Sequence, residues 1–297
     1  MDKVMIKQLL FHGSWLVFPT IVWLLWRWRK GQHRAAIAAL LLACGVFIWA
    51  RFIEPQMIMI KYTGLEGTGT AARIAMVSDI HLGVYKDRRF LERLVERINE
   101  QDVHAVAIAG DLTYEPQGRS LEDLFAPLAN LRAPAFVVLG NHDQQQPGPD
   151  IDKPLRAALA AHGVHVIEGR LLRDANGVHW AGLGDRWAGR DDSRFLQGGQ
   201  TLRGPTIILA HNPDSAMQVC AGNVAIVLAG HTHGGQIRIP WLYRKVIPSA
   251  YGFDRGEQVM QGACGPIRVF TTSGVGEIGL PMRLFNPPTI DILQLSP

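Results

Sequence analysis

Arg73-Ile74-Ala75-Met76-Val77-Ser78-Asp79-Ile80-His81 is a short apolar run that ends on a carboxylate and an imidazole. It is too short for a stable helix and reads as a buried strand. The same pattern recurs four times. Residues 106–109 run into Gly110-Asp111, residues 135–139 into Gly140-Asn141-His142-Asp143, and residues 206–210 into His211. Residues 224–229 run into Gly230-His231-Thr232-His233-Gly234-Gly235. Between the earlier runs lie helical stretches. Residues 87–100 place Phe90, Leu91, Leu94, Val95 and Ile98 at helical spacing, and residues 121–131 and 151–162 read likewise. The alternation predicts an α/β body around a largely buried sheet. Further strand-like runs at 180–183, 267–272 and 289–295 make the second half richer in strand. No low-complexity tract or fixed-period repeat appears.

Ligand sites in open α/β sheets form at the carboxyl ends of strands. A single Asp or His there is ordinarily a cap. Five successive strand ends bearing Asp, Asn or His, with glycines that permit sharp turns, are not ordinary. The donors are Asp79, His81, Asp111, Asn141, His211, His231 and His233. Carboxylate, imidazole and one amide oxygen suit Mn, Fe or Zn. The absence of thiolate speaks against a structural zinc site. Seven donors exceed one ion's need and match two ions sharing a carboxylate. His12, His33, His104, His162, His165 and His179 follow no such pattern.

Of the 297 residues, 47% are hydrophobic and 19% charged, which excludes full-length disorder. Three cysteines (Cys44, Cys220 and Cys264) exclude a disulfide-dense scaffold. Residues 1–53 hold seven basic residues against Asp2, so the net charge of +4 leaves the rest slightly acidic. That body gives no basis for a nucleic-acid partner. Residues 8–26 and 35–50 carry no charge, and five of the eight tryptophans lie in this region. Each run approaches the thickness of a bilayer, so residues 1–53 are expected to form a two-helix transmembrane hairpin, with Arg51 snorkelling to the interface. Residues 54–71 are expected as a linker and 72–297 as the α/β body that carries the donors. The expected location is the cell (inner) membrane. The basic linker at 27–34 favours a cytoplasmic loop and an extracytoplasmic body, although Lys3, Lys7, Arg51 and Lys61 pull the other way. Outside the cytoplasm Cys220 and Cys264 could pair.

The ordered set Asp79-x-His81, Gly110-Asp111, Gly140-Asn141-His142-Asp143, His211 and Gly230-His231-Thr232-His233 resembles the signature of the calcineurin-like metallophosphoesterases. The resemblance covers about residues 72 to 295. Gly234-Gly235-Gln236-Ile237-Arg238-Ile239-Pro240 is similar to the membrane-anchored bacterial branch. It implies a four-layer αββα sandwich and two divalent metal ions. Asp79, His81 and His233 would hold one ion, Asn141, His211 and His231 the other, with Asp111 bridging. His142 resembles the family's catalytic histidine, the general acid that follows attack by a metal-bridging hydroxide, and Asp143 is a candidate to orient it. Tyr114 stands where the family often has Asp or Arg, and Pro287-Pro288-Thr289 where relatives commonly read Pro-Pro-Glu. Both departures bear on substrate choice. With the bilayer as partner, the expected substrate is a lipid-linked phosphomonoester, phosphodiester or diphosphate. UDP-2,3-diacylglucosamine hydrolysis is an option only for a cytoplasmic body. A non-catalytic metal-binding scaffold, a nuclease and a protein phosphatase are the competing classes. Residues 184–192 read either as a solvated loop or as a substrate-facing one, with Arg186 or Arg190 meeting phosphate.

Overall fold

A computed structural model describes residues 3–31, 33–116, 118–144, 151–197 and 204–297. The chain opens with α1 (Lys3–Gly13), a single 3₁₀ turn, α2 (Val17–Arg29) and α3 (Arg34–Ile48). There follow β1 (Met59–Leu65), β2 (Ala72–Val77), β3 (Leu82–Gly83), α4 (Arg88–Asn99), β4 (Ala105–Ala109) and β5 (Thr113–Tyr114). Next come α5 (Leu121–Phe125), β6 (Ala135–Val138), α6 (Asp152–Ala161), β7 (His165–Val166), β8 (Leu171–Arg173) and β9 (His179–Gly182). The chain ends with β10 (Thr206–Leu209), β11 (Val224–Ala229), β12 (Gly256–Gly262), β13 (Gly265–Thr271) and β14 (Thr289–Leu295).

Twelve of these strands form two six-stranded sheets, ordered β1-β14-β2-β4-β6-β7 and β12-β13-β11-β10-β9-β8, while β3 and β5 pair as a separate two-stranded sheet. The strands that carry the donors, β2, β4 and β6 in one sheet and β10 and β11 in the other, are parallel within their sheets. Side chains alternate between faces at a period of two. Ile74 and Met76 face the inter-sheet core, while Ala75 and Val77 face the layer of α4, α5 and α6. In β10, Ile207 and Leu209 point inward, and Ile208 points to an outer core with Phe253 and Leu196. That outer core is covered by 3₁₀ turns such as Pro213–Gln218. Continuous apolar runs are what strands covered on both faces require, and the arrangement is the mixed α/β fold expected from the sequence.

Asp87 caps α4 by accepting from Phe90 N at 3.2 Å, and the predicted apolar stripe is buried. The helix expected over 121–131 breaks after Phe125 into a 3₁₀ turn, Ala126–Asn130. Pro127 has no N–H and cannot continue the α-helical ladder. Residues 54–71, expected as a linker, instead contain β1, paired in parallel with β14 from Met59 to Leu65. The Gly64, Gly67 and Gly69 signals mask a strand that draws its order from β14.

The N-terminal segment contains two helices long and apolar enough to cross a membrane, Lys3–Arg29 and Arg34–Gln56. Arg51 does not snorkel to solvent. It is buried, donating to Ser14 Oγ at 3.0 Å and Phe11 O at 3.2 Å, with Phe11 and Phe52 rings against its guanidinium. Cys220 and Cys264 form a disulfide, Cα atoms 5.2 Å apart, that joins the segment after the Pro213–Gln218 turn to the turn between β12 and β13.

Asp291 in β14 is buried and accepts from Thr272 Oγ1 at 2.6 Å. Burial pushes its carboxyl up to about 6, against the Thr272 bond and the positive charges of Lys61 and Arg255. The folded chain therefore holds this proton more tightly than the unfolded chain. The associated stability is complete below about pH 4 and is lost as pH rises through about 6. Asp291→Asn is expected to stabilise the protein by about 1–3 kcal/mol at pH 7.5 and to leave it unchanged at pH 4. Thermal melts of the full chain in detergent at both pH values check this; equal shifts at the two would refute it.

Candidate metal centre

The turns after the donor-bearing strands are bonded to one another. Asp79 N donates to Gly110 O at 2.9 Å, His81 N to Asp111 O at 3.1 Å, and Gly230 N to His211 O at 2.9 Å. Five donors are themselves in the left-handed region: Asp79 (φ 51°), His81 (51°), Asp111 (52°), His231 (69°) and His233 (51°). That conformation costs a non-glycine residue about 1–2 kcal/mol. It turns the chain off the sheet in one step, and such strain persists only where the surroundings enforce it.

All seven predicted donors converge. The ligand atoms of Asp79, His81 and His233 lie within 4.8 Å of one another, as do those of Asp111, His211 and His231. His81 Nε2 faces His233 Nε2 at 3.1 Å, and Asp79 Oδ1 is 3.4 Å from the latter. In the second group His211 Nε2 is 3.0 Å from His231 Nδ1 and 3.1 Å from Asn141 Oδ1. Asp111 Oδ2 stands between the groups, 3.6 Å from His81 Nε2 and 3.3 Å from His211 Nε2. Two nitrogens bound at right angles to one ion sit roughly 3 Å apart, given metal–nitrogen bonds of about 2.0–2.1 Å. Asp79 Oδ1 is buried without a hydrogen-bond partner. The His81 Nδ1 contact to Thr113 O (3.2 Å) and the His211 Nδ1 contact to Ala109 O (2.8 Å) place each ring's proton on Nδ1. In the neutral ring this leaves the Nε2 lone pair facing its group; at His211 the effect of burial is overridden by the Asp111, Asp79 and Asp185 carboxylates, which raise the pKa well above its ordinary value. The residues fit two divalent cations.

The electrostatics agree. Burial pushes Asp79 up to about 7, with His211 opposing and Asp111 adding to the rise. Burial drives His81 down to about 3, partly offset by Asp111, and His231 down to about 3 with the help of His211. At Asp111 burial is overridden by His211, His142 and His81, which hold the carboxyl well below its usual range. Buried carboxylates this close need compensating positive charge, and divalent ions bring it.

His142 lines the site. Its N–H donates to Asp111 Oδ1 at 2.9 Å, and its ring meets those of His81 and Tyr114 edge-on, each with centroids 5.2 Å apart. Asp143 does not orient that ring. Both its oxygens are taken by Leu112 N (3.0 Å), Thr113 N (2.9 Å), Thr113 Oγ1 (2.7 Å) and Gly140 N (3.1 Å). It fastens the turn after β4 to the turn after β6, which corrects the expected catalytic role. Arg186 and Arg190 are engaged by Asp191 (3.3 Å) and Asp152 (3.2 Å). The residue of that loop that reaches the site is Trp187, edge-on to His231 with centroids 4.5 Å apart. Sequence reasoning missed Lys7. From α1 it pairs with Glu115 at 2.6 Å and sits over the Tyr114 ring at 4.2 Å. Its only signal was the unusual tyrosine at 114.

A cavity of about 360 Å³ opens on the centre. It is lined by Asp111, Asn141, His142, His231 and His233, by the apolar side chains of Trp187, Ile237, Val246, Pro248, Ile278 and Leu280, and by Thr232, Gly235 and Gln236.

The family model described as calcineurin-like phosphoesterase matches residues 72–235, and the chain belongs to that family. It is a metal-dependent phosphoric ester hydrolase. Among relatives, the uncharacterized metallophosphoesterase YkuE of Bacillus subtilis is 30% identical over 90% of this chain and 96% of its own. A transmembrane protein with metallophosphoesterase domain from Danio rerio is 29% identical over 90% of this chain and 64% of its own. The UDP-2,3-diacylglucosamine pyrophosphatase LpxG of Chlamydia muridarum is 27% identical over 66% of this chain and 75% of its own.

Gly140 is the tightest point of the centre, because a Cβ there would strike the Asp111 carboxylate and its backbone nitrogen. Gly140→Ala is expected to lower bound metal from two ions per chain to one or none, with far-ultraviolet circular dichroism unchanged. Metal analysis after gel filtration reads this; two ions retained would contradict it.

Proposed function

We propose that the chain is a membrane-anchored phosphoesterase that uses two divalent ions, Mn, Fe or Zn, to hydrolyse a phosphoester in a lipid-linked substrate. The observation that carries this reading is the cavity, which brings four of the candidate metal donors and a set of apolar side chains to one opening. Asp79, His81 and His233 would hold one ion; Asn141, His211 and His231 the other; Asp111 would serve both. When bound, the ions supply an activated water and neutralise charge developing on the phosphoryl oxygens. Asp111 is held for this by its bond from His142 N. The His142 ring, on the cavity wall, gives its proton to the leaving-group oxygen. Trp187 and the apolar wall orient the organic part of the substrate and exclude water.

The apolar helices at 3–29 and 34–56 support a two-span anchor in the cell membrane. The Cys220–Cys264 bond supports an extracytoplasmic body, since such bonds persist outside reducing compartments. The LpxG relative favours a second reading, cleavage of a lipid-linked nucleotide diphosphate. That reading requires a cytoplasmic body, where the disulfide would be reduced.

The test is hydrolysis of bis(p-nitrophenyl) phosphate by the full chain in detergent, stripped of metal and reloaded with Mn²⁺. Activity is expected to return with metal and to be lost in Asp111→Asn. His142→Ala is expected to keep both ions and lose about 10²–10⁴-fold in turnover of an alkyl phosphodiester, the usual range for a general acid. Wild-type turnover of that ester by the variant would remove His142 from the mechanism. Activity with no metal requirement would sink the reading as a whole.

A further inference from the structure

Beside the cavity mouth, sharing Val246 and Leu280 with its apolar wall, lies an exposed apolar surface that extends beyond the cavity. In the loop after Ile237, Trp241 is 87% exposed, Val246 68% and Leu242 53%. Phe285 is 66% exposed, with Ile239 and Leu280 exposed beside them in sequence. Soluble surfaces rarely leave such large side chains out together, and their presence marks an interaction face. The loop is also basic: from Gly234 to Phe253 it carries Arg238, Arg244 and Lys245 and no acid. Arg238 is spent on Asp254 at 3.1 Å, while Arg244 and Lys245 are exposed.

Hydrogen bonds tie this face to the foot of the hairpin. Arg238 N donates to Leu284 O at 2.9 Å, Leu284 N to Gln236 O at 3.1 Å, and Arg283 N to Ala50 O at 2.9 Å. On the other side of the mouth, Tyr85 hydroxyl donates to Gly279 O at 2.6 Å, and Phe11 of α1 stacks on Tyr85 with centroids 5.6 Å apart. The apolar rim is thus continuous with the anchoring helices.

We propose that this rim, led by Trp241, Leu242, Val246 and Phe285, docks into the lipid–water interface. Arg244 and Lys245 then contact anionic headgroups, and the cavity opens toward the bilayer surface. The proposal rests on reading α1 to α3 as a membrane anchor, and it commits to lipid as the occupant because of that continuity. Exposed tryptophan with flanking basic residues is the composition that settles at headgroup level. Cationic residues near an anionic leaflet add to the attraction and lose it with salt.

The test places an environment-sensitive thiol dye in the full chain, in a Cys44→Ser background, reconstituted in phosphatidylcholine/phosphatidylglycerol vesicles containing nitroxide lipids. Trp241→Cys reports the rim, Trp23→Cys the hairpin, and Asn176→Cys the far end of the sheets. Quenching at 23 and at 241 is expected, at least threefold above that at 176. Quenching at a Phe285→Cys label should fall at least twofold when Trp241 and Leu242 are both changed to Glu. Omitting phosphatidylglycerol should weaken quenching at 241 and not at 23. Quenching at 23 with 241 at the level of 176 would overturn the docking and leave the anchor standing; a rim covered by a second copy of the chain gives that result too. No quenching at 23 would remove the anchor and the docking together.

Discussion

The arrangement depends on one electrostatic constraint. The Asp111 carboxylate is buried between two groups of imidazoles, with the buried Asp79 carboxylate near by. A carboxylate taken out of water without compensation is costly, and two in one pocket more so. Imidazoles alone answer the problem incompletely. Burial holds His81 and His231 neutral at ordinary pH, so they present lone pairs rather than charge. Facing lone pairs beside buried carboxylates form an arrangement that is satisfied by cations. The same feature that makes the centre expensive to fold therefore suits it to divalent metal.

Holding such a centre requires a frame that does not relax. Five donors sit in left-handed conformations, each opposed by steric repulsion around Cβ. The opposing order comes from two sheets packed face to face, whose shared core includes Trp180, Phe136 and Phe270. Their parallel strands end at the same level, and backbone bonds cross from turn to turn. Asp143 shows the division of labour: a carboxylate next to the proposed acid is wholly occupied in joining two backbone turns. Its four donors also make it a better strut than any neutral side chain.

The donor set was legible because each donor follows a short apolar run, and both features are local. The helix over 88–99 was legible for the same reason: its stripe and its Asp87 cap lie in one stretch. What could not be read depends on partners distant in sequence. The strand at 59–65 has weak alternation and a glycine at 64, and it exists because β14 lies alongside it. Arg283 gives no local sign that it is fully buried, donating to Gly276 O at 2.6 Å and Asn286 O at 2.9 Å. Lys7 looked like a charge that flanks a span. Its place over Tyr114 follows from how α1 lies against the body, which no periodicity encodes. Arg186 and Arg190 erred the other way: they have the right chemistry for phosphate and are already paired with acids.

The buried polar residues between the N-terminal helices and the body bear on how the two are held together. Arg283 bonds Ala50 through its backbone and the 273–276 turn through its guanidinium, while Asn286 Nδ2 donates to His233 O at 2.6 Å. Glu54, at the end of the second apolar helix, accepts from Asn286 N at 2.5 Å. Lys86, buried, pairs with Glu277 at 3.2 Å and donates to Pro55 O at 2.6 Å. Breaking such a network by removing one member leaves a buried charge or dipole unmatched, at a cost of about 3–5 kcal/mol for a charge. A flexible tether would need none of these bonds, and would let the body tumble above its attachment point. Here the foot of the hairpin is two hydrogen bonds from a metal-donor loop, so the orientation of the centre is fixed to the helices.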